Sequence, residues 1–318
     1  MPYSKPYLTV PQQRALLESR GMIVADVAKA EEYLQRIGYY RLSAYWYPFR
    51  RLAQNADGSF RLDDNFKPGT EFKHVTDLYA FDKALRLLTL DAIERIEISI
   101  RTEVSLAIGR HDPWAHRNPA NLDGRFTIAS PGFGGSKFDG WLKLLDDKAA
   151  KSKEEFADHF RTKYPGEHMP IWIAVELLDF GPLSHFLAGM RYADLQRISA
   201  SYGGLRPDLI KSWCRSLSVV RNVSAHHARL WNKPLVDQPR LPKPGEIPDL
   251  DHIAQSPGGN QRIYAALCFM RCLLKTVNPR TKWAERLKAL VETFPNAPNV
   301  TIRDAGFPDN WDQLPLWN

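Results

Sequence analysis

Apolar residues recur at helical spacing along almost the whole chain. The stretch from Asp77 to Ile108 contains no Gly or Pro for 32 residues, and its apolar side chains follow steps of three and four. Acid-to-base pairs at i,i+4, such as Asp82 with Arg86, favour an exposed face on this helix. No run of alternating apolar and polar residues is bounded by hairpin turns, so the pattern predicts an all-α protein with a spine of about 48 Å.

Breaks in this pattern divide the chain into four predicted parts. They are an N-terminal helical region with an aromatic and basic arm at Tyr39 to Arg50 (1–75), a helical core (76–235), a Pro-rich connector (236–260), and C-terminal helices with a tail that packs on the core (261–318). Further helices are predicted at 9–37, 138–163, 171–191, 207–231, 261–277 and 280–294. Whether Trp311 and Trp317 of the tail pack there or meet a partner stays open.

Composition narrows the class of protein. With 318 residues, 44% of them hydrophobic and 25% charged, the chain is neither disordered nor fibrous. No apolar run reaches the roughly 18 residues that span a bilayer, and the first residues lack a secretory signal, so we expect a cytoplasmic protein away from membranes. Cys214, Cys268 and Cys272 are interpreted as reduced core thiols, and no metal site is expected.

The net charge of +7 points weakly to an anionic partner. Its location is more informative, because residues 206–233 contain six basic side chains and a single acid, Asp208. This segment is the predicted helix that begins at Pro207 and ends with RNVSAHHARLWN, Arg221 to Asn232. At 100° per residue, one face of that helix is apolar and includes His227. The opposite face is charged and consists of Lys211, Arg215, Asn222, His226 and Arg229.

His, Arg and Asn on one basic surface suit the chemistry of phosphodiesters. Histidine, with an ordinary pKa near 6.5, exchanges protons at neutral pH, and arginine presents a planar fork of donors to phosphate oxygens. No metal is needed where the nucleophile is the adjacent ribose 2′-hydroxyl. Arg221 lies between the two faces, from which its long side chain can reach round the helix. Similar Arg-to-His spacings occur at 110–116 and 161–168, but only the Arg221 copy lies within a predicted continuous helix.

Four ordered motifs carry a resemblance to a known family. They are IGYYRLSAYWYPF (37–49), YAFDKALRLL with AIERIEISIRT (79–102), ELLDFGPLSHF (176–186) and RNVSAHHARLWN (221–232). Together they resemble the bacterial Abi family of the AbiD/AbiF type, and the last motif resembles the R-N-x-x-x-H signature of HEPN-domain ribonucleases.

The resemblance implies an all-α HEPN core, a role in abortive infection against phage, and metal-independent cleavage of RNA without a cofactor. Arg221, Asn222 and His226 match the active-site residues of the signature. HEPN sites combine two motifs, and this chain has one helical copy, so the resemblance implies a homodimer. It also implies a structured RNA antitoxin for some members of the family.

Two other functions stay open. One is a non-catalytic RNA-binding or protein-interaction module that uses the same surface, and a weaker one is a DNA-binding regulator that uses the basic helix. Whether the protein cleaves RNA or only binds it, the expected phosphate contacts are Lys211, Arg215 and Arg229. Arg41, within the aromatic and basic arm, is a further candidate, since aromatic rings beside basic residues can stack on bases. The competing interpretation is that the aromatic residues of the arm are packing.

Overall fold

The computed structural model of the protein describes residues 6–55, 57–130 and 134–318. The prediction of an all-α protein is confirmed, because helices make up most of the described chain. The α-helices are α1 (Val10–Ser19), α2 (Val27–Arg36), α3 (Tyr39–Trp46), α4 (Phe72–Gly109), α5 (Gly124–Thr127), α6 (Lys137–Lys151), α7 (Glu155–Lys163), α8 (Ile171–Ala174), α9 (Phe180–Ala188), α10 (Tyr192–Ser201), α11 (Pro207–Ala225), α12 (Asp251–Ala254), α13 (Ile263–Val277) and α14 (Trp283–Glu292). Two antiparallel strand pairs accompany them, β1 (Arg50–Gln54) with β2 (Phe60–Phe66), and β3 (Ala129–Ser130) with β4 (Gly135–Ser136).

Helix α4 is the spine around which the fold is built. Its 38 residues correspond to a length of about 57 Å. Helices from both sides of the sequence pack on it, namely α3, α8, α9, α10, α11, α13 and α14. The predicted long helix is therefore confirmed, and it begins five residues before Asp77.

The N-terminal region folds onto this spine rather than extending from it. Gly38, at φ 92°, turns the chain from α2 into α3, and Tyr45, Trp46 and Phe49 of the aromatic run are buried. Three aromatic side chains of this predicted arm are therefore packing, whereas Tyr40 and Tyr47 are exposed. The hairpin of β1 and β2 was not predicted, because most side chains of both strands are exposed and no apolar alternation marks them.

The longer helices of the core differ from prediction at their ends. The predicted helix at 138–163 is two helices, α6 and α7, and the one at 171–191 is divided into α8, a short 3-10 turn and α9. Helix α11 begins at Pro207 as predicted, with Asp208 in its first turn, but it ends at Ala225 rather than near Trp231. This early end repositions every residue from His226 onward.

The C-terminal tail packs on the rest of the protein. Trp311 and Trp317 are buried, and the indole N–H of Trp317 donates to the Tyr264 hydroxyl of α13 at 3.1 Å. One cluster of buried side chains extends from Leu17 to Trp317 and draws on all the predicted parts. The four-part division of the chain stays a prediction. Within the ranges that the structure covers, no helix is both long and apolar enough to span a bilayer.

Candidate functional site

Arg221, Asn222 and His226 lie together at the C-terminal end of α11. Asn222 and His226 are exposed and Arg221 is half-buried. The backbone N–H of His226 donates to the Asn222 carbonyl at 2.9 Å, and Nη1 of Arg221 donates to Oδ1 of Asn222 at 3.4 Å. The structure thus brings the three predicted site residues into one short, accessible stretch of surface.

His226 is the last residue before a sharp reversal of the backbone. The N–H of His227 donates to the Ser224 carbonyl at 3.1 Å, and the N–H of Ala228 donates to the Val223 carbonyl at 3.0 Å. This pair of bonds is the Schellman motif, which satisfies the last carbonyls of a helix and needs a left-handed residue. His227 occupies that position, with φ 58°. The prediction that His227 is buried is therefore wrong: the helix ends too early, and its side chain is exposed.

A buried polar cluster of Tyr45, Asp82 and Arg86, here called the carboxylate clamp, holds the segment that follows the turn. The carboxylate of Asp82 accepts the backbone N–H of Leu230 at 3.1 Å and that of Trp231 at 2.7 Å. It also accepts the Tyr45 hydroxyl at 2.7 Å and pairs with Arg86. Burial raises the pKa of Asp82, while these hydrogen bonds and the charge of Arg86 act in the opposite direction.

Two further arginines fasten the same segment to α3. Nη1 of Arg41 donates to the His227 carbonyl at 2.7 Å, and Nη1 of Arg229 donates to the carbonyl of Ala44. Residues 227–231 are therefore held by α3 on one side and by α4 on the other. The position of His226, directly before this segment, is fixed by contacts that three of the four sequence motifs supply.

The fourth motif, ELLDFGPLSHF, contacts Arg101, which lines the same groove as Arg221. Arg221 borders an open groove along α4 that also includes Glu94, Glu97 and Arg101. Arg101 donates to Glu97 at 3.0 Å and to the Leu178 carbonyl of the ELLDFGPLSHF motif at 2.9 Å. Burial raises the pKa of Glu97, and the positive charges of Arg101 and Arg221 oppose that shift. Arg221 thus lies beside acidic side chains of α4.

The predicted basic face is partly neutralised by the chain itself. Arg215 pairs with Asp237, which comes from the predicted connector. Lys211 is half-buried, and its charge helps to lower the pKa of Asp123. Arg229 is turned towards α3, and burial lowers the pKa of its guanidinium. Arg41 is exposed, with one of its donors occupied by His227.

Sequence reasoning missed the carboxylate clamp, although a signal for it was present. Asp82 and Arg86 were expected on an exposed face, but both are buried. Asp82 follows Leu78 by four residues and precedes Leu85 by three, which places it within the apolar stripe of α4. An acid in such a stripe needs partners, and no local pattern identifies the backbone of residues 230–231 as one of them.

The three cysteines are free thiols in the core or packed against it. Cys214 and Cys268 are buried and Cys272 is partly buried, and burial raises the pKa of the Cys214 thiol to about 12. Among the described residues, no group of three or more His, Cys, Asp or Glu side chains is arranged to hold a metal ion.

The model of a family described as Abi-like protein matches residues 32–232. The chain belongs to the Abi-like protein family. The matched span contains all four motifs and ends at Asn232, one residue after the last backbone N–H that Asp82 accepts. No curated protein and no solved structure matches the chain. Membership in the Abi-like family suggests a role in abortive infection as a defence against phage.

Proposed function

We propose that this Abi-like protein is a metal-independent endoribonuclease of the HEPN type, in the AbiD/AbiF group, that cleaves RNA during abortive infection. The observation that carries the proposal is the exposed end of α11, where Arg221, Asn222 and His226 lie side by side in front of a segment fastened to α3 and α4. Rigid support of this kind keeps a catalytic side chain in a productive geometry.

The reaction follows from the chemistry of these side chains. The ribose 2′-hydroxyl attacks the adjacent phosphorus, and His226 moves a proton to or from the reacting oxygens. Arg221 stabilises the negative charge that develops on the phosphorane-like transition state, and Asn222 positions Arg221 or a phosphate oxygen. The products are a 2′,3′-cyclic phosphate and a 5′-hydroxyl end. DNA resists because it lacks the nucleophile.

RNA and a second copy of the chain are the partners of this site. Arg41, Lys211 and Arg215 contact phosphates of the RNA, and Arg229 supports the site from its position against Ala44. Two copies of the chain pair so that two motifs form a composite cleft. A structured RNA antitoxin would occupy the same surface as the substrate, since both present the same backbone of phosphates and 2′-hydroxyls.

The test is cleavage of a single-stranded RNA by the purified protein. We expect the parent to produce cyclic phosphate ends in the presence of EDTA, and Arg221→Ala and His226→Ala to lower the rate by about 100-fold or more. The matched controls are Arg280→Ala and His159→Ala, which change an exposed arginine and an exposed histidine elsewhere, and these should retain the parent rate. An RNA with a single 2′-deoxy residue at the cleaved position should resist.

The alternative, a non-catalytic RNA-binding module, predicts another outcome of the same assay. The protein would retain RNA in a gel-shift experiment, while any cleavage would be equal in the parent and in both site variants. Loss of cleavage in EDTA would instead contradict the metal-independent mechanism.

A further inference from the structure

His227 stands in a position that most proteins give to glycine. It is the residue after the helix cap in the Schellman motif, and its φ of 58° is in the left-handed region. Side chains other than glycine are strained there, although histidine tolerates this region better than most. Strained residues cluster at functional sites. The exposed imidazole of His227, next to His226, is therefore a candidate functional group.

The backbone of His227 is held by hydrogen bonds through both its N–H and its carbonyl. Arg41 donates to its carbonyl at 2.7 Å, and its own N–H is bonded to Ser224. Two other histidines use their rings in structural bonds, His111 with Asp194 and His252 with Tyr264. The rings of His226 and His227 both face solvent, and consecutive Cα atoms are only about 3.8 Å apart.

Cleavage of RNA by its own 2′-hydroxyl requires two proton transfers. The O–H bond of the 2′-hydroxyl breaks as the bond between its oxygen and phosphorus forms, and a base must accept that proton. The bond between phosphorus and the 5′-oxygen then breaks, and an acid must give the leaving oxygen a proton. One proton is taken up and one is delivered, so the reaction needs no oxidant, reductant or further reactant.

We propose that His227 is the second catalytic residue of the site, and that it divides these two proton transfers with His226 of the same chain. This inference rests on the proposed ribonuclease function. One imidazole begins the reaction neutral and accepts the proton of the 2′-hydroxyl, and the other begins protonated and donates to the 5′-oxygen. Exchange with water restores both. Each copy of the chain then holds a complete acid–base pair, while a second copy adds its arginine and its part of the cleft.

The decisive variant is His227→Gly, because it removes the imidazole and favours the turn. Glycine adopts the left-handed conformation without strain, so the variant should keep the parent fold and melt at the same temperature or higher. We expect its kcat to fall by about 100-fold or more, with little change in KM. His227→Asn is the second variant, since asparagine also tolerates the left-handed region and has no group that titrates near neutral pH.

The dependence of kcat on pH adds a signature that a structural role would not give. The parent should show a bell-shaped profile with one limb from each imidazole, and both variants of His227 should lose one limb while His159→Ala keeps the full bell. Loss of activity in His226→Ala and Arg221→Ala together with parental kcat and profile in His227→Gly would overturn this inference and leave the proposed function intact. Parental cleavage in His226→Ala and Arg221→Ala would overturn both.

Discussion

Two histidine environments in this protein contrast sharply. His226 and His227 are exposed at the end of α11, above a buried cluster in which the Asp82 carboxylate accepts several hydrogen bonds. His116 is fully buried beside Trp141, and neither of its ring nitrogens has a hydrogen-bond partner in the described part of the chain. Burial lowers the pKa of His116 to about 4.

The contrast shows how the fold distributes its polar groups. Burial disfavours the charged form of the His116 imidazole, so the ring is kept neutral and serves as a packing residue. At the end of α11, the buried charges belong to supporting residues and are matched by partners, which leaves the imidazoles in water. A side chain that exchanges protons needs the second arrangement, so the environment, more than the residue type, separates the histidines by role.

The largest effect is expected from removing the carboxylate of the clamp. Asp82→Ala leaves Arg86 buried without its carboxylate and leaves the N–H groups of Leu230 and Trp231 without their acceptor. We expect the free energy of unfolding to fall by about 3–5 kcal/mol, measured by urea denaturation. Cleavage should fall as well, because the segment after His226 loses its anchor.

The matched control for this change lies on the same helix. Asp77 also pairs with a basic residue at i,i+4, Lys73, but this pair is largely exposed. Asp77→Ala should lower the free energy of unfolding by less than about 1 kcal/mol. Equal losses in the two variants would contradict the assignment of Asp82 as the anchor of the clamp.

A smaller effect is expected from the titration of His116. Its pKa is about 4 in the folded protein and near 6.5 in the unfolded chain, so folding favours the neutral ring. The contribution of this preference to the free energy of unfolding is fully present above pH 6.5, and it is lost as the pH falls from 6.5 towards 4. The free energy of unfolding should therefore decrease over this range by up to about 3 kcal/mol.

Replacing the ring isolates this contribution. In His116→Phe the decrease in stability between pH 6.5 and 4 should be smaller than in the parent by a similar amount, because phenylalanine does not titrate. His159→Ala, which changes an exposed histidine, should leave the pH dependence unchanged. Parallel curves for the parent and His116→Phe would show that the ring of His116 does not drive the acid sensitivity.

The spine of the fold could be predicted from the sequence because its signal is local. The apolar stripe of α4 and the uninterrupted run from Asp77 to Ile108 define a helix without reference to the rest of the chain. The placement of Arg221, Asn222 and His226 at one end of α11 follows from their spacing in the same way. In both cases neighbours along the helix decide the outcome.

The prediction of where α11 ends was wrong, because that end depends on distant residues. The sequence from Arg221 to Asn232 contains no Gly or Pro, so nothing local stops the helix before Trp231. The bonds that fasten the segment come from Arg41, Ala44 and Asp82, more than 140 positions away. The Schellman turn also lacks the glycine that would mark it, since His227 fills that position.

The smallest effect is expected from replacing Arg41, which holds the turn at His227 and is also a proposed phosphate contact. Its bond to the His227 carbonyl is exposed, so Arg41→Ala should lower the free energy of unfolding by less than about 1 kcal/mol. If its remaining donors contact an RNA phosphate, the slope of log K against log salt concentration should decrease by about 0.7 in binding to single-stranded RNA. Arg280→Ala is the control and should keep both values. An unchanged slope with reduced kcat would show that Arg41 acts only by holding the turn at His227. The arginine on α3 would then support the site and would not contact the RNA.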